Sequence, residues 1–176
     1  MSLTNFKAQL IGGGARTNLF AVTLSFPNAV TGGFFAANSA EYLVKAAALP
    51  ASTITPIEVP YRGRVLKVAG DRTFEPWTIT VLNDTGMEIR NAFEDWMHRV
   101  TRHDENTAAF GNNLNYMATA SISQLDREGR AGKTYTMIDV WPSSVSAIDL
   151  TSEAGGIQEF QVTLEYQYWV SDTTVA

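Results

Sequence analysis

EFQVTLEYQYW, residues Glu159–Trp169, alternates without interruption. Phe160, Val162, Leu164, Tyr166 and Tyr168 fall on one side of an extended chain, and Glu159, Gln161, Thr163, Glu165 and Gln167 on the other. A period of two marks a strand with one buried and one open side. The same pattern runs through TNLFAVTLSF (17–26), where Phe20, Val22, Leu24 and Phe26 coincide. Further strands are expected near Glu41–Ala48, Arg64–Ala69, Phe74–Leu82, Met117–Leu125 and Lys133–Trp141, and another after Pro142. The segment DREGRAGK (126–133) has the glycines of a hairpin turn.

One segment has helical spacing instead. Ile89, Phe93, Trp96, Met97 and Val100 recur on one face, with Glu88, Arg90, Asn91, Glu94, Asp95 and Arg99 on the other. Thr85 and Glu88 stand at capping-box spacing before it. The expected fold is therefore mainly β: an antiparallel β-sandwich or small barrel flanked by a single amphipathic helix. The 176 residues suit one domain. Within it, residues 1–16 read as a flexible N-terminal arm, and 51–63, punctuated by Pro56 and Pro60, as an extended loop.

Composition narrows the chemistry. There is no cysteine, so disulfides, thiolate metal sites and a cysteine nucleophile are excluded. Net charge is −5, and it is unevenly spread. From Thr134 onward there is no Lys or Arg, while Asp139, Asp149, Glu153, Glu159, Glu165 and Asp172 are all acidic. A protein that grips nucleic acid by its phosphates carries a basic surface, and this one does not. GGGART (12–17) lacks phosphate-loop spacing and leads into a strand where a helix is needed. His98 and His103 are five apart, off the i, i+4 spacing of a helical zinc pair and without a third ligand in sequence. No nucleophile elbow occurs and no carboxylate pair is singled out. Neither an enzyme nor a cofactor or metal protein is expected. The first residues lack the apolar core of a secretory signal.

Two features point to assembly. Arg62, Arg64, Lys67 and Arg72 cluster with few aromatic stacking positions between them, which favours ion pairs with a neighbouring chain over nucleic acid. The open side of 159–167 either faces solvent or, in a barrel built from several subunits, lines a channel. An acidic, amide-rich channel repels a polyanion and so lets it slide.

Four segments in order then carry a family resemblance. They are LVKAAALPASTITPIEVPYRGRVLKVAGDRTFEPWTITVLND (43–84), IRNAFEDWMHRV (89–100), SISQLDREGRAGKTYTMIDVWPSSVSAIDL (121–150) and IQEFQVTLEYQYW (157–169). With the first strand they cover most of residues 17–170. The chain resembles the major tail tube proteins of contractile-tailed bacteriophages, a family related to the tubes of contractile injection machines. The resemblance implies hexameric rings stacked into a hollow tube that conducts genome DNA during ejection, with neither catalysis nor cofactor. It implies copies of the same chain, the tail sheath, baseplate and tail terminator proteins as partners, and DNA in passage without specific binding. It also implies a virion tail made in the host cytoplasm, with no membrane insertion by the subunit.

Carried onto this chain, the resemblance implies subunit or ring contacts through Ile54, Ile57, Val59, Tyr61, Arg62, Arg64 and Arg72, with Asp84, Glu94 or Asp149 as acidic partners. It implies a lumen lined by Glu159, Gln161, Thr163, Glu165 and Gln167, then by Thr78 and Thr80, and a sheath-facing helix surface of Glu88, Asn91, Glu94 and Asp95. The N-terminal arm is expected to order only in the tube. Two alternatives stand beside this reading: the inner tube of a secretion or injection system carrying protein effectors, and a small β-barrel that binds an apolar ligand.

Overall fold

The computed structural model describes residues 2–10, 14–105, 107, 115–153 and 155–174. Gly12 and Gly13 of the glycine run, and part of the polar stretch after Val100, lie outside these. The elements in chain order are α1 (Leu3–Gln9), β1 (Phe20–Leu24), α2 (Gly33–Leu43), β2 (Val44–Ala47), β3 (Ser52–Tyr61) and β4 (Arg64–Phe74). They continue with β5 (Trp77–Leu82), α3 (Glu88–Val100), β6 (Ala118–Leu125), β7 (Ala131–Val145), β8 (Glu159–Glu165) and β9 (Tyr168–Ser171).

Seven strands form one antiparallel sheet in the order β1-β6-β7-β8-β5-β2, with β9 also paired to β7. β7 holds it together. Its first part pairs with β6 and β9, and its last part with β8. Where β7 passes from one part to the other, the register against β6 shifts between Ala118 and Ala120, opposite Val140 and Met137. Asp139, inside that bulge, takes φ 57°, a left-handed conformation that Asp tolerates better than most residues. The strand then runs on through Pro142, whose missing N–H falls beside a second register shift, so no new strand begins there.

The core follows the alternation. Val22 and Leu24 of β1, Ile122 of β6, Met137 and Val140 of β7, Ile79 and Val81 of β5, and Phe160, Val162 and Leu164 of β8 are buried in one cluster. Ile89, Phe93 and Trp96 of α3 close it. Phe93 stacks on Trp96 at 6.2 Å, and Phe26 leans on both rings at 5.1 and 5.3 Å. The indole N–H groups that burial strands are met by carbonyls: Trp96 donates to Tyr116 and Trp77 to Ala48, each at 2.7 Å.

Several expectations change. The sheet has free edges at β1 and β2, so it is not a closed barrel. The interior that a ligand-binding barrel would leave open is filled by Trp77, Phe93 and Trp96. Among the described residues three helices occur where one was expected. α2 takes Glu41–Leu43 from the strand expected at Glu41–Ala48, and β2 keeps the rest up to Ala47. The helix was illegible because it packs through its small residues: Gly33, Ala36 and Ala40 are buried while Phe34, Phe35 and Tyr42 face outward. A Cβ on Gly33 would lie 2.8 Å from Phe26 Cβ, so that close approach requires glycine. The arm contains α1, whose residues are all exposed.

The capping box is also absent. Asp84, not Thr85, serves the start of α3: its carboxylate accepts from the Gly86 and Glu88 N–H groups, both at 3.1 Å. Tyr168 leaves the buried side because the chain breaks stride at Tyr166–Gln167 before β9.

Truncating Phe93 removes an aromatic shared by helix and sheet. Phe93→Ala is expected to cost about 3–5 kcal/mol of stability, read from the urea midpoint of the unassembled subunit. A loss under about 1 kcal/mol would mean that the Phe26–Phe93–Trp96 cluster does not hold the helix to the sheet.

Candidate assembly interface

The segment expected as loop 51–63 is instead one strand of a long ribbon. β3 pairs only with β4 among the described strands, forming a separate two-stranded sheet. Arg62 (φ 46°) and Gly63 (φ 79°) make its tip, the two successive positive φ angles of a type I′ turn. Near the root, β4 takes an extra residue around Gly70, where a Cβ would lie 2.4 Å from the Thr55 carbonyl oxygen. The root itself is anchored. Phe74 packs on Tyr166 (6.1 Å) and Trp169 (6.4 Å), and the Ala51 carbonyl accepts from the Tyr166 hydroxyl (3.5 Å) and the Trp169 indole (3.4 Å). Burial, joined by the Glu75 and Glu165 carboxylates, holds the Tyr166 phenol above its usual range and so in its hydrogen-donating form.

Register sorts the ribbon into two sides. Ile57 opposite Val68, Val59 opposite Leu66 and Tyr61 opposite Arg64 share one side. Glu58, ion-paired with Lys67 at 3.3 Å, shares the other with the Pro60–Val65 pair. Ile54, opposite Arg72, is three positions from Ile57 and so stands on the Glu58 side, apart from the apolar row. Every residue of β3 is exposed, and Leu66 retains 61% of its surface. Val65, Leu66 and Val68 were not foreseen as contact residues; the alternation of Leu66 and Val68 on β4 was the available signal. Arg62 lies over the Tyr61 ring at 5.3 Å. Among the described residues, no ion pair engages Arg62, Arg64 or Arg72.

The open side of β8 is part of a wider polar surface. Thr163 pairs with Thr78 and Gln161 with Thr80 across β5, and the two threonine hydroxyls stand 3.4 Å apart. Glu159 and Glu165 occupy the ends of β8. Gln167 lies beyond the strand, its N–H donating to the Ile138 carbonyl at 3.1 Å. The face also carries a cation, because Lys45 of β2 reaches Glu159 and pairs with it.

On α3 the acids are mostly engaged within the subunit. Glu94 pairs with Arg90 at 2.7 Å, and the Asn91 amide donates to the Gly86 carbonyl at 3.2 Å. Asp95 accepts from the Thr31 N–H at 2.7 Å and from Arg99 at 2.9 Å. It thereby ties α3 to the turn before α2. Glu88 is exposed at the helix start. Asp84 and Glu94, foreseen as partners for the ribbon arginines, already hold groups of their own subunit.

Two more apolar surfaces lie open. Phe34, Phe35 and Tyr42 project from α2, and Leu3, Phe6 and Leu10 from and just beyond α1.

Comparison with known sequences shows one family. The family model described as phage tail tube protein matches residues 15–172. The tail tube protein gp19 of Enterobacteria phage T4 is 33% identical over 157 residues, covering 88% of this chain and 90% of that one. The tail tube protein of Serratia phage KSP90 is 32% identical over 168 residues, covering 92% and 90%. Among solved structures, the tube-terminating cap of the anti-feeding prophage superposes with a TM-score of 0.66 at 17% identity over 91% of both chains. A sheath–tube complex of an extracellular contractile injection system, in the extended state, does so with 0.62 at 12% identity over 98% of both. At such identities the latter two show a shared fold.

Burial raises the Asp95 pKa, but the Thr31 N–H and Arg99 outweigh it and hold the carboxyl below its ordinary 3.8. A carboxyl with a depressed folded-state pKa stabilises fully above 3.8 and loses that contribution as pH falls through its folded value. Asp95→Asn is expected to cost about 1–2 kcal/mol at pH 7, with the difference from wild type shrinking below pH 3.8. A difference that stays constant down to acid unfolding would show that the charge of Asp95 is irrelevant.

Proposed function

The chain belongs to the phage tail tube protein family, and from that premise we propose that it assembles through its ribbon into stacked hexameric rings. The observation that carries this reading is the exposed ribbon itself. An isolated two-stranded hairpin is marginal in water, and this one exposes Ile57, Val59, Leu66 and Val68 on one side. A contiguous apolar surface of that kind marks a contact site. Its occupant is a second copy: the ribbon projects from an anchored root, and its tip arginines lack acids of their own subunit among the described residues. Tip arginines meeting acids of the next subunit complete a geometry in which each ring grips its neighbour.

The threonine, glutamine and glutamate face of β5 and β8 is the surface best suited to a lumen. It is polar, and the charge of Lys45 is paired with Glu159. Such a surface offers phosphates little purchase, so DNA moves past it during ejection. The sheath, the baseplate and a terminating protein are the partners that a tube of this kind meets, in keeping with the assemblies in which the fold neighbours were solved. A tube carrying protein effectors shares the fold, but the sequence relatives are phage proteins, and they favour DNA as cargo.

Leu66→Glu places a charge on a side chain already 61% exposed, so the subunit keeps its fold. Sedimentation and negative-stain microscopy are expected to show rings or tubes for wild type and dispersed subunits for the variant. Tubes of normal length from Leu66→Glu would sink the ribbon as the ring contact.

Phage assembled with Glu159→Lys and Glu165→Lys subunits is expected to build tails of normal length yet eject DNA more slowly, with the delay relieved by salt. Ejection at the wild-type rate in low salt would remove these residues from the lumen.

A further inference from the structure

The two histidines that sequence spacing separates are brought together by the fold. His98 sits in the last turn of α3, and His103 follows the chain reversal at Thr101, whose extended backbone (φ −144°) ends the helix. The reversal is held by the Arg102 N–H donating to the Thr107 carbonyl at 2.8 Å. As a result the two Nδ1 atoms stand 3.2 Å apart, with ring centroids 4.8 Å apart and planes inclined by 41°. A neutral imidazole has one donor and one acceptor nitrogen, so this contact is a hydrogen bond when one ring donates through Nδ1 and the other accepts.

We infer that His98 and His103 form a two-imidazole binding site for a borderline divalent transition ion such as Zn(II), Ni(II) or Cu(II). The spacing supplies the first argument. At imidazole–metal bonds of about 2.0–2.1 Å, nitrogens 3.2 Å apart subtend about 100° at a shared ion, between octahedral and tetrahedral geometry. The second argument is access: an open groove at the end of α3 is lined by Asp95, His98, Arg99, Arg102, His103 and Asp104. The third is charge. Asp95 neutralises Arg99 and Glu105 neutralises Arg102, leaving Asp104 as the unbalanced charge beside the imidazoles. The ion takes the place of the Nδ1 proton, which passes to Nε2 of the same ring, so that each Nδ1 donates a lone pair and water completes the shell. Among the described residues no group of three ligands converges, so this is an open site held by two protein donors. Binding clamps the Thr101–His103 reversal onto α3.

The test uses untagged full-length protein, stripped with a chelator, at pH 7.5. Titration with Cu(II), followed by electron paramagnetic resonance, is expected to show one ion per chain carrying two nitrogen couplings. Zn(II) added in excess is expected to displace it. His98→Ala and His103→Ala each are expected to lower Zn(II) affinity at least about tenfold and to remove the two-nitrogen signal, while circular dichroism stays unchanged. The proposal is overturned if wild type gives no two-nitrogen signal, or if either variant retains it.

Discussion

Strand β7 belongs to both halves of the sheet, and the rest of the subunit depends on how it manages this. A regular strand presents one side to one core, so a strand bonded to β6 at one end and β8 at the other has to change course between them. The change occurs where the register shifts opposite β6 and Asp139 takes a left-handed conformation. Bulges bend a strand and sharpen its twist. This one lets Met137 and Val140, on either side of it, enter the same buried cluster as Val22 and Val162. α3 then closes that cluster with Phe93 and Trp96. The break between β8 and β9 is the counterpart on the adjoining edge, where Gln167 donates to Ile138 beside the bulge.

Once that core is closed, little inside the subunit remains for the ribbon to bury. β3 and β4 satisfy each other's backbone groups but have no second layer to cover Ile57, Val59, Leu66 and Val68. The aromatic contacts at Phe74 aim the ribbon without covering it. A subunit built this way is complete as a fold and incomplete as a surface. The same division explains α2, which spends its small residues on close packing and leaves its aromatics outside.

The β-strands were legible where one side is buried by the chain's own core. Phe160, Val162 and Leu164 alternate because water and protein lie on opposite sides of β8, and the pattern records that difference. The ribbon was misread as a loop because neither side is buried in the subunit; its prolines then dominated the reading. α2 was missed because helix recognition looks for large residues turned inward, and here Gly33, Ala36 and Ala40 take that role. The residues nominated on the ribbon and on β8 are neighbours in sequence, within reach of a short pattern. Lys45, however, meets Glu159 across 114 positions, and only the pairing of β2 with β5 and β5 with β8 brings them together. His98 and His103 were set aside as a metal pair for a related reason: helix spacing rules stop applying once the chain reverses.

Lys45 also alters the physics of the proposed channel. Repulsion by unopposed carboxylates would keep DNA away from the wall, but at the cost of crowding like charges around a ring of subunits. Pairing Glu159 with Lys45 lowers that cost, since each exposed charge is screened by its neighbour within a few ångströms. The remaining wall consists of Thr78, Thr80, Gln161 and Thr163, whose hydroxyls and amides hydrogen-bond to water and to one another without fixing a phosphate by charge. Glu165, at the other end of β8, then supplies a modest negative bias. A nearly neutral, well-hydrated surface lets a polyanion slip as effectively as an acidic one, and it is easier to assemble.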